Sequence, residues 1–134
     1  MLRIVALLAA LLAAGPIAAS AKPHLRDVPE IEGPLFAVAM AKEVSDYCDS
    51  IGARLFKGIG ELRRLRSKAN ELGYSDTEIR AYIESDTEKT RMRAKGEKLL
   101  RASGVSYENP ETFCAFGRTE IEKNSAIGVL LRAK

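Results

Sequence analysis

FAVAMAKEVSDYCDSIGARLFKGIGELRRLRSKANEL, residues 36–72, decides the fold class. Apolar residues fall at 37, 40, 41, 44, 48, 51, 55, 59, 62, 65, 69 and 72, a recurrence every three or four positions that marks one face of a helix. Arg54, Lys57, Arg63, Arg64 and Lys68 hold the opposite side. Cys48 lies in the apolar stripe, so the stripe is read as the buried face. One unbroken helix from residue 34 to residue 72 would measure about 57 Å at 1.5 Å per residue, too long for so small a globule. A break or kink is therefore predicted, at Asp49-Ser50 with Gly52 or at the pair Gly58 and Gly60. Gly73 ends the run as a left-handed cap.

Downstream the helical reading continues. Ser75-Asp76-Thr77-Glu78 and Ser85-Asp86-Thr87-Glu88 are two Ser-x-x-Glu capping boxes, in which serine accepts from the third amide and glutamate reaches back. The first opens a short helix bearing Ile79, Tyr82 and Ile83. The second opens a longer one bearing Met92, Leu99 and Leu100, closed by Gly104. Asn109-Pro110-Glu111 starts another helix, which carries Phe113, Cys114, Gly117 and Ile121 on one face and ends at Asn124-Ser125. A short apolar tail follows at 126–131. No segment alternates with the period of a strand, so the chain reads as all-α.

Upstream, residues 22–34 hold Pro23, Pro29 and Pro34 among Asp27, Glu30 and Glu32. Prolines at this density predict an extended arm over 22–33, with Gly33-Pro34 marking the helix start. Before the arm stands a tripartite leader. Arg3 gives a positive start, 4–14 form an apolar run, Gly15-Pro16 breaks it, and Ala19-Ser20-Ala21 supplies small residues for a peptidase. The run falls far short of the roughly 20 residues that span a bilayer. It reads as a signal peptide over 1–21, cleaved between Ala21 and Lys22, which sends the chain to the periplasm.

The 134 residues suffice for one domain. Of 21 basic and 18 acidic residues only Arg3 lies in the leader, leaving 20 − 18 = +2, a balance that speaks against nucleic acid. No stretch of the processed chain reads as a transmembrane segment. In an oxidising compartment the two cysteines, Cys48 and Cys114, read as one disulfide.

No catalytic, cofactor-binding or metal-binding residues emerge. The single histidine, His24, sits in the arm, where nothing orients it as a ligand or base. Neither cysteine has the polar neighbours of a reactive thiolate. Gly58-Ile59-Gly60 lacks the Lys-Ser/Thr of a phosphate loop. Arg63-Arg64-Leu65-Arg66 suits anionic lipid or nucleic acid, but with Glu61 and Glu71 nearby it is read as a solvated helix face.

Leu25-Arg26-Asp27-Val28-Pro29-Glu30-Ile31, Cys48-Asp49-Ser50-Ile51, Gly73-Tyr74-Ser75-Asp76, Phe113-Cys114-Ala115 and Ser125-Ala126-Ile127-Gly128 together resemble an uncharacterised family of small exported bacterial proteins, domain of unknown function 5333. The resemblance covers nearly all of the processed chain and implies no activity. Members of that family are sometimes labelled as a component of the respiratory NADH dehydrogenase. The true iron–sulfur component holds a two-iron cluster on four thiolates, and this chain has two cysteines.

The resulting expectation is a single helical bundle of four to five helices over 34–134, stapled by Cys48 and Cys114. Its expected role is that of a non-enzymatic periplasmic interaction module, without cofactor, for a protein at the periplasmic face of the inner membrane. The arm and the C-terminal tail are the expected contact surfaces. A periplasmic stress chaperone and an accessory of the respiratory NADH dehydrogenase are the alternatives. Mass spectrometry of the exported protein is expected to find Lys22 first; exported material beginning at Met1 would overturn the address.

Overall fold

Val28 is extended and Pro29 takes the first helical position, where a missing amide breaks no bond. Helix α1 runs Pro29–Tyr47 from there. The computed structural model describes residues 15–16 and 21–134, so nearly all of the leader reading over 1–21 lies outside the described residues. A short 3-10 turn, Leu25–Asp27, precedes α1. Strand β1 (Ile51–Ala53), α2 (Leu55–Glu71), α3 (Asp76–Glu84), α4 (Asp86–Ala102) and α5 (Pro110–Glu122) follow, then a second 3-10 turn, Gly128–Leu130, and strand β2 (Leu131–Ala133). The described residues thus form a five-helix, essentially all-α fold with one two-stranded ribbon that the sequence reading did not anticipate.

That ribbon marks the predicted break. α1 stops at Tyr47, and the chain turns through Cys48, Asp49 and Ser50. β1 then pairs antiparallel with β2 in the register Ile51↔Ala133, Gly52↔Arg132, Ala53↔Leu131. The Arg54 amide donates to the Leu130 carbonyl at 2.7 Å and the Arg54 Nε to the Leu131 carbonyl at 3.1 Å, which fixes where α2 begins. The Gly58 and Gly60 alternative is set aside, since both lie inside α2.

The main core joins α1, α5, the end of α4 and the C-terminal segment around Val44, Cys48, Ile51, Leu100, Phe113 and Leu131. Gly117 lets α5 cross α1 closely: a Cβ there would stand 2.7 Å from Ile51 Cδ1 and 2.8 Å from Val44 Cγ1. Beside it Cys48 and Cys114 stand at bonding distance, Sγ–Sγ 2.06 Å with Cα–Cα 5.2 Å, as the disulfide reading requires. Tyr47 stacks on Phe113 with ring centroids 4.6 Å apart, and Tyr107 meets both edge-on.

A second, smaller core corrects the reading of 22–33 as an extended arm with a helical domain starting at 34. Leu25, Val28 and Ile31 are buried against Leu65 and Ala69 of α2, Tyr74, and Ile79 of α3. The Tyr74 hydroxyl donates to the Pro23 carbonyl at 2.5 Å, and the Lys22 ammonium donates to the Gly73 carbonyl and to Glu78. Pro34 lies inside α1. Its missing amide leaves only the Glu30 carbonyl, in the exposed first turn, without a helical partner. The C-terminal tail is likewise packed, through Ile127, Leu130 and Leu131. Neither chain end offers the contact surface expected of it.

A polar clasp closes the seam between α1, α3 and α4. The Glu32 carboxylate, 7% exposed, accepts from Tyr82 Oη at 2.7 Å, Arg91 at 2.9 Å and Lys95 at 3.5 Å. Arg91 also donates to Glu88 at 2.8 Å, and Glu88 pairs with Arg26 at 2.5 Å. This use of Glu88 leaves the second predicted capping box half formed: Ser85 accepts from the Glu88 amide, but the carboxylate does not reach back. At Ser75 both halves are present. Burial by itself would raise the Glu32 pKa; hydrogen bonds from Arg91 and Tyr82 and the charges of Arg91 and Lys95 outweigh it and hold the carboxyl below its ordinary value. Burial and the neighbouring Glu32 push the Tyr82 phenol well up.

Two stability outcomes follow. Replacing Cys48 or Cys114 by alanine is expected to cost about 2–5 kcal/mol, and replacing both no more than either alone, because one bond is lost once. Denaturant unfolding checks this, and additive losses would contradict the bond. For Glu32→Gln we expect a loss of about 2–3 kcal/mol at neutral pH, because Arg91 and Lys95 lose their shared anion. A carboxyl whose folded pKa is depressed stabilises above its unfolded value and loses that contribution as pH falls through the folded one. The gap between parent and variant should therefore narrow as pH falls below the ordinary carboxylate range, and a gap independent of pH would count against the clasp.

Candidate functional site

Four features were legible as places where chemistry or binding might occur, and the fold sorts them. His24 is exposed ahead of the first 3-10 turn. Among the described residues no three His, Cys, Asp or Glu side chains gather as a metal site would require. Cys48 and Cys114 are buried and bonded, so neither is available as a thiolate. Ala21 and Lys22, the expected cleavage pair, are both exposed.

A groove of ≈ 640 Å³ lies between α1, α3 and α4, lined largely by Leu35, Met40, Ile83, Met92 and Tyr107. Three of its four carboxylates are engaged among the described residues, and Glu97 is the exception. Glu43 accepts from the Tyr107 hydroxyl at 2.8 Å, Asp46 from Lys42, and Glu88 from Arg91. Burial first, and then Glu43, push the Tyr107 phenol well above its ordinary value, so it stays a neutral donor. No nucleophile stands beside a base here, and every described buried side-chain polar atom has a partner. These groups are arranged to hold helices together.

The feature that the sequence pointed to with the wrong sign is α2. Its apolar positions share one face, but burial divides them along its length. Leu65 and Ala69, in the C-terminal half, are buried against the N-terminal segment. The N-terminal half turns its stripe to solvent: Phe56 is 89% exposed, Leu55 67%, Leu62 42% and Ile59 37%. The spacing 55, 59, 62 with 56 alongside sets these side chains on one continuous surface. The two glycines in this stretch add nothing to it, since a Cβ at Gly58 or Gly60 would meet nothing within 4 Å.

Basic residues edge the surface. Arg63 and Arg66 continue it one turn beyond Ile59 and Leu62, and Arg54 precedes it; all three are exposed. Arg132 of β2, opposite Gly52, is exposed beside the start of α2. The sequence reading of 63–66 as a solvated, ion-paired face holds in part. Arg64 bridges Glu61 at 2.6 Å and Arg66 bridges Asp76 at 2.6 Å, which with Asn70 draws the Asp76 pKa down to about 2. Arg63 makes no ion pair among the described residues. α2 also differs from α1, α3, α4 and α5 in having no acidic residue in its first turn to offset the positive end of the helix dipole. Among the described residues no helix is long and apolar enough to cross a membrane.

No curated protein and no solved structure matches the chain. A family model does, over residues 23–132, from the docked N-terminal segment through the middle of β2. Both half-cores, the cysteine pair and the outward face of α2 fall within that span. The chain belongs to that family, described as a family of unknown function (DUF5333).

Proposed function

We propose that this chain is a non-enzymatic helical interaction module that acts after export, by docking on a larger partner at the periplasmic face of the inner membrane. The observation that carries the reading is the surface of Leu55, Phe56, Ile59 and Leu62. Single exposed apolar residues are ordinary, but four contiguous ones on a well-packed domain mark an interaction site. The clasp and the disulfide supply the rigidity that such a module needs. Its buried ionisable groups, Glu32 and Glu88, are taken up by Tyr82, Arg91 and Arg26, which supports docking over catalysis. An accessory role beside the respiratory NADH dehydrogenase is one form of this reading.

The second reading, an acid-triggered chaperone, draws on the clasp. Glu32 and Glu78 both have lowered pKa values and both anchor the N-terminal segment, so strong acid would loosen it and bare the small core. Light scattering from an acid-denatured client protein separates the two, because the chaperone suppresses aggregation only after acidification.

A photo-crosslinking residue at Phe56, with Ser103 as an exposed control, tests the docking reading in exporting cells. A discrete adduct, to protein or to lipid, at position 56 and none at 103 is the expected result. Equal labelling at both positions, or none at either, would overturn it.

A further inference from the structure

We infer that the partner met by the α2 face is the anionic lipid surface of a membrane; this rests on the docking reading above and names its occupant. Two properties of the face select lipid. The first is the order of groups along it. Leu55, Phe56, Ile59 and Leu62 are flanked by Arg54 at one end and by Arg63, unpaired among the described residues, at the other, with Arg66 beyond it held by Asp76. A helix lying in the plane of a bilayer needs that arrangement, with apolar side chains entering the acyl boundary and guanidinium groups reaching back to phosphates. The second is the sign of the local field. The carboxylates nearest the face are already engaged, Glu61 by Arg64 on the other flank and Asp76 by Arg66, so Arg63 is left as an uncompensated cation among the described residues. Arg132 adds a further positive charge beside the start of the helix. Arrays of this kind are drawn to anionic headgroups.

A second copy of the chain fits this surface poorly. Antiparallel pairing of two α2 helices would set Arg63 of one copy beside Arg54 of the other, with no free carboxylate on either to separate them. The exposed stripe occupies two turns at one end of α2, and the other end is held in the small core by Leu65 and Ala69. The module therefore sits on a lipid surface without crossing it.

Co-flotation of the chain recovered after export, with phosphatidylcholine vesicles and with vesicles also containing phosphatidylglycerol, tests the assignment. Binding is expected only to the anionic vesicles and to weaken with added salt. The pair Phe56→Ser with Ile59→Ser, and separately Arg63→Glu, should each reduce the bound fraction about tenfold while leaving thermal unfolding unchanged. Equal binding to both vesicle types, or anionic binding untouched by these substitutions, would overturn the assignment. Failure to float combined with a protein adduct at position 56 would overturn the lipid assignment and leave the docking reading standing. Failure of both flotation and crosslinking would remove both.

Discussion

Everything distinctive in this fold depends on the chain reversing course between Tyr47 and Leu55. An uninterrupted helix would carry its apolar stripe past the end of any core that so short a chain can build. The reversal is secured covalently, by Cys48 bonded to Cys114 on α5, and by backbone pairing, with β1 held on β2 and Arg54 tied to two successive carbonyls. With the cysteines separated by 66 positions, the bond removes loop entropy from the unfolded chain worth on the order of 4 kcal/mol, a large share of a small domain's stability. Because the bond sits one residue past the end of α1, it also sets the angle at which α2 leaves.

The consequences spread to both chain ends. The C-terminal segment is needed as β2, so Leu130 and Leu131 are buried and the tail is structural. α2 departs from the main core and would leave Leu65 and Ala69 bare; the N-terminal segment fills that side with Leu25, Val28 and Ile31. The Glu32 clasp then locks α1 to α3 and α4 through Tyr82 and Arg91. Each end of the chain closes a gap that the reversal opens.

Local chemistry made the helices legible. Ser75 and Asn109-Pro110 announced their starts, Gly73 its stop with a φ of 94°, and Asp49-Ser50 with Gly52 the break. Cysteine count and compartment sufficed for the disulfide. What was not legible depended on partners distant in sequence. Val28-Pro29 and Gly33-Pro34 are equally good helix starts, and only the small core of α2 and α3 chooses the first. Period alone identified the stripe 55, 59, 62, 65, 69 as one face, yet burial divides it after Leu62. Periodicity reports which side chains share a direction, not whether anything lies in that direction. The β ribbon, three residues a side, is too short to show alternation.

The proposed docking face lies outside the folding core. The clearest check is to remove the apolar character of that face and ask what folding loses. Replacing Leu55, Phe56, Ile59 and Leu62 together by glutamine takes four large apolar groups from α2 while preserving helix propensity. Thermal unfolding of this variant should stay cooperative and shift by no more than about 8 °C, since surface substitutions away from packed features change stability by about 0.5 kcal/mol or less each, about 2 kcal/mol for four. Loss of the cooperative transition would show that these side chains are part of the core, and the account of α2 as an outward docking face would fail.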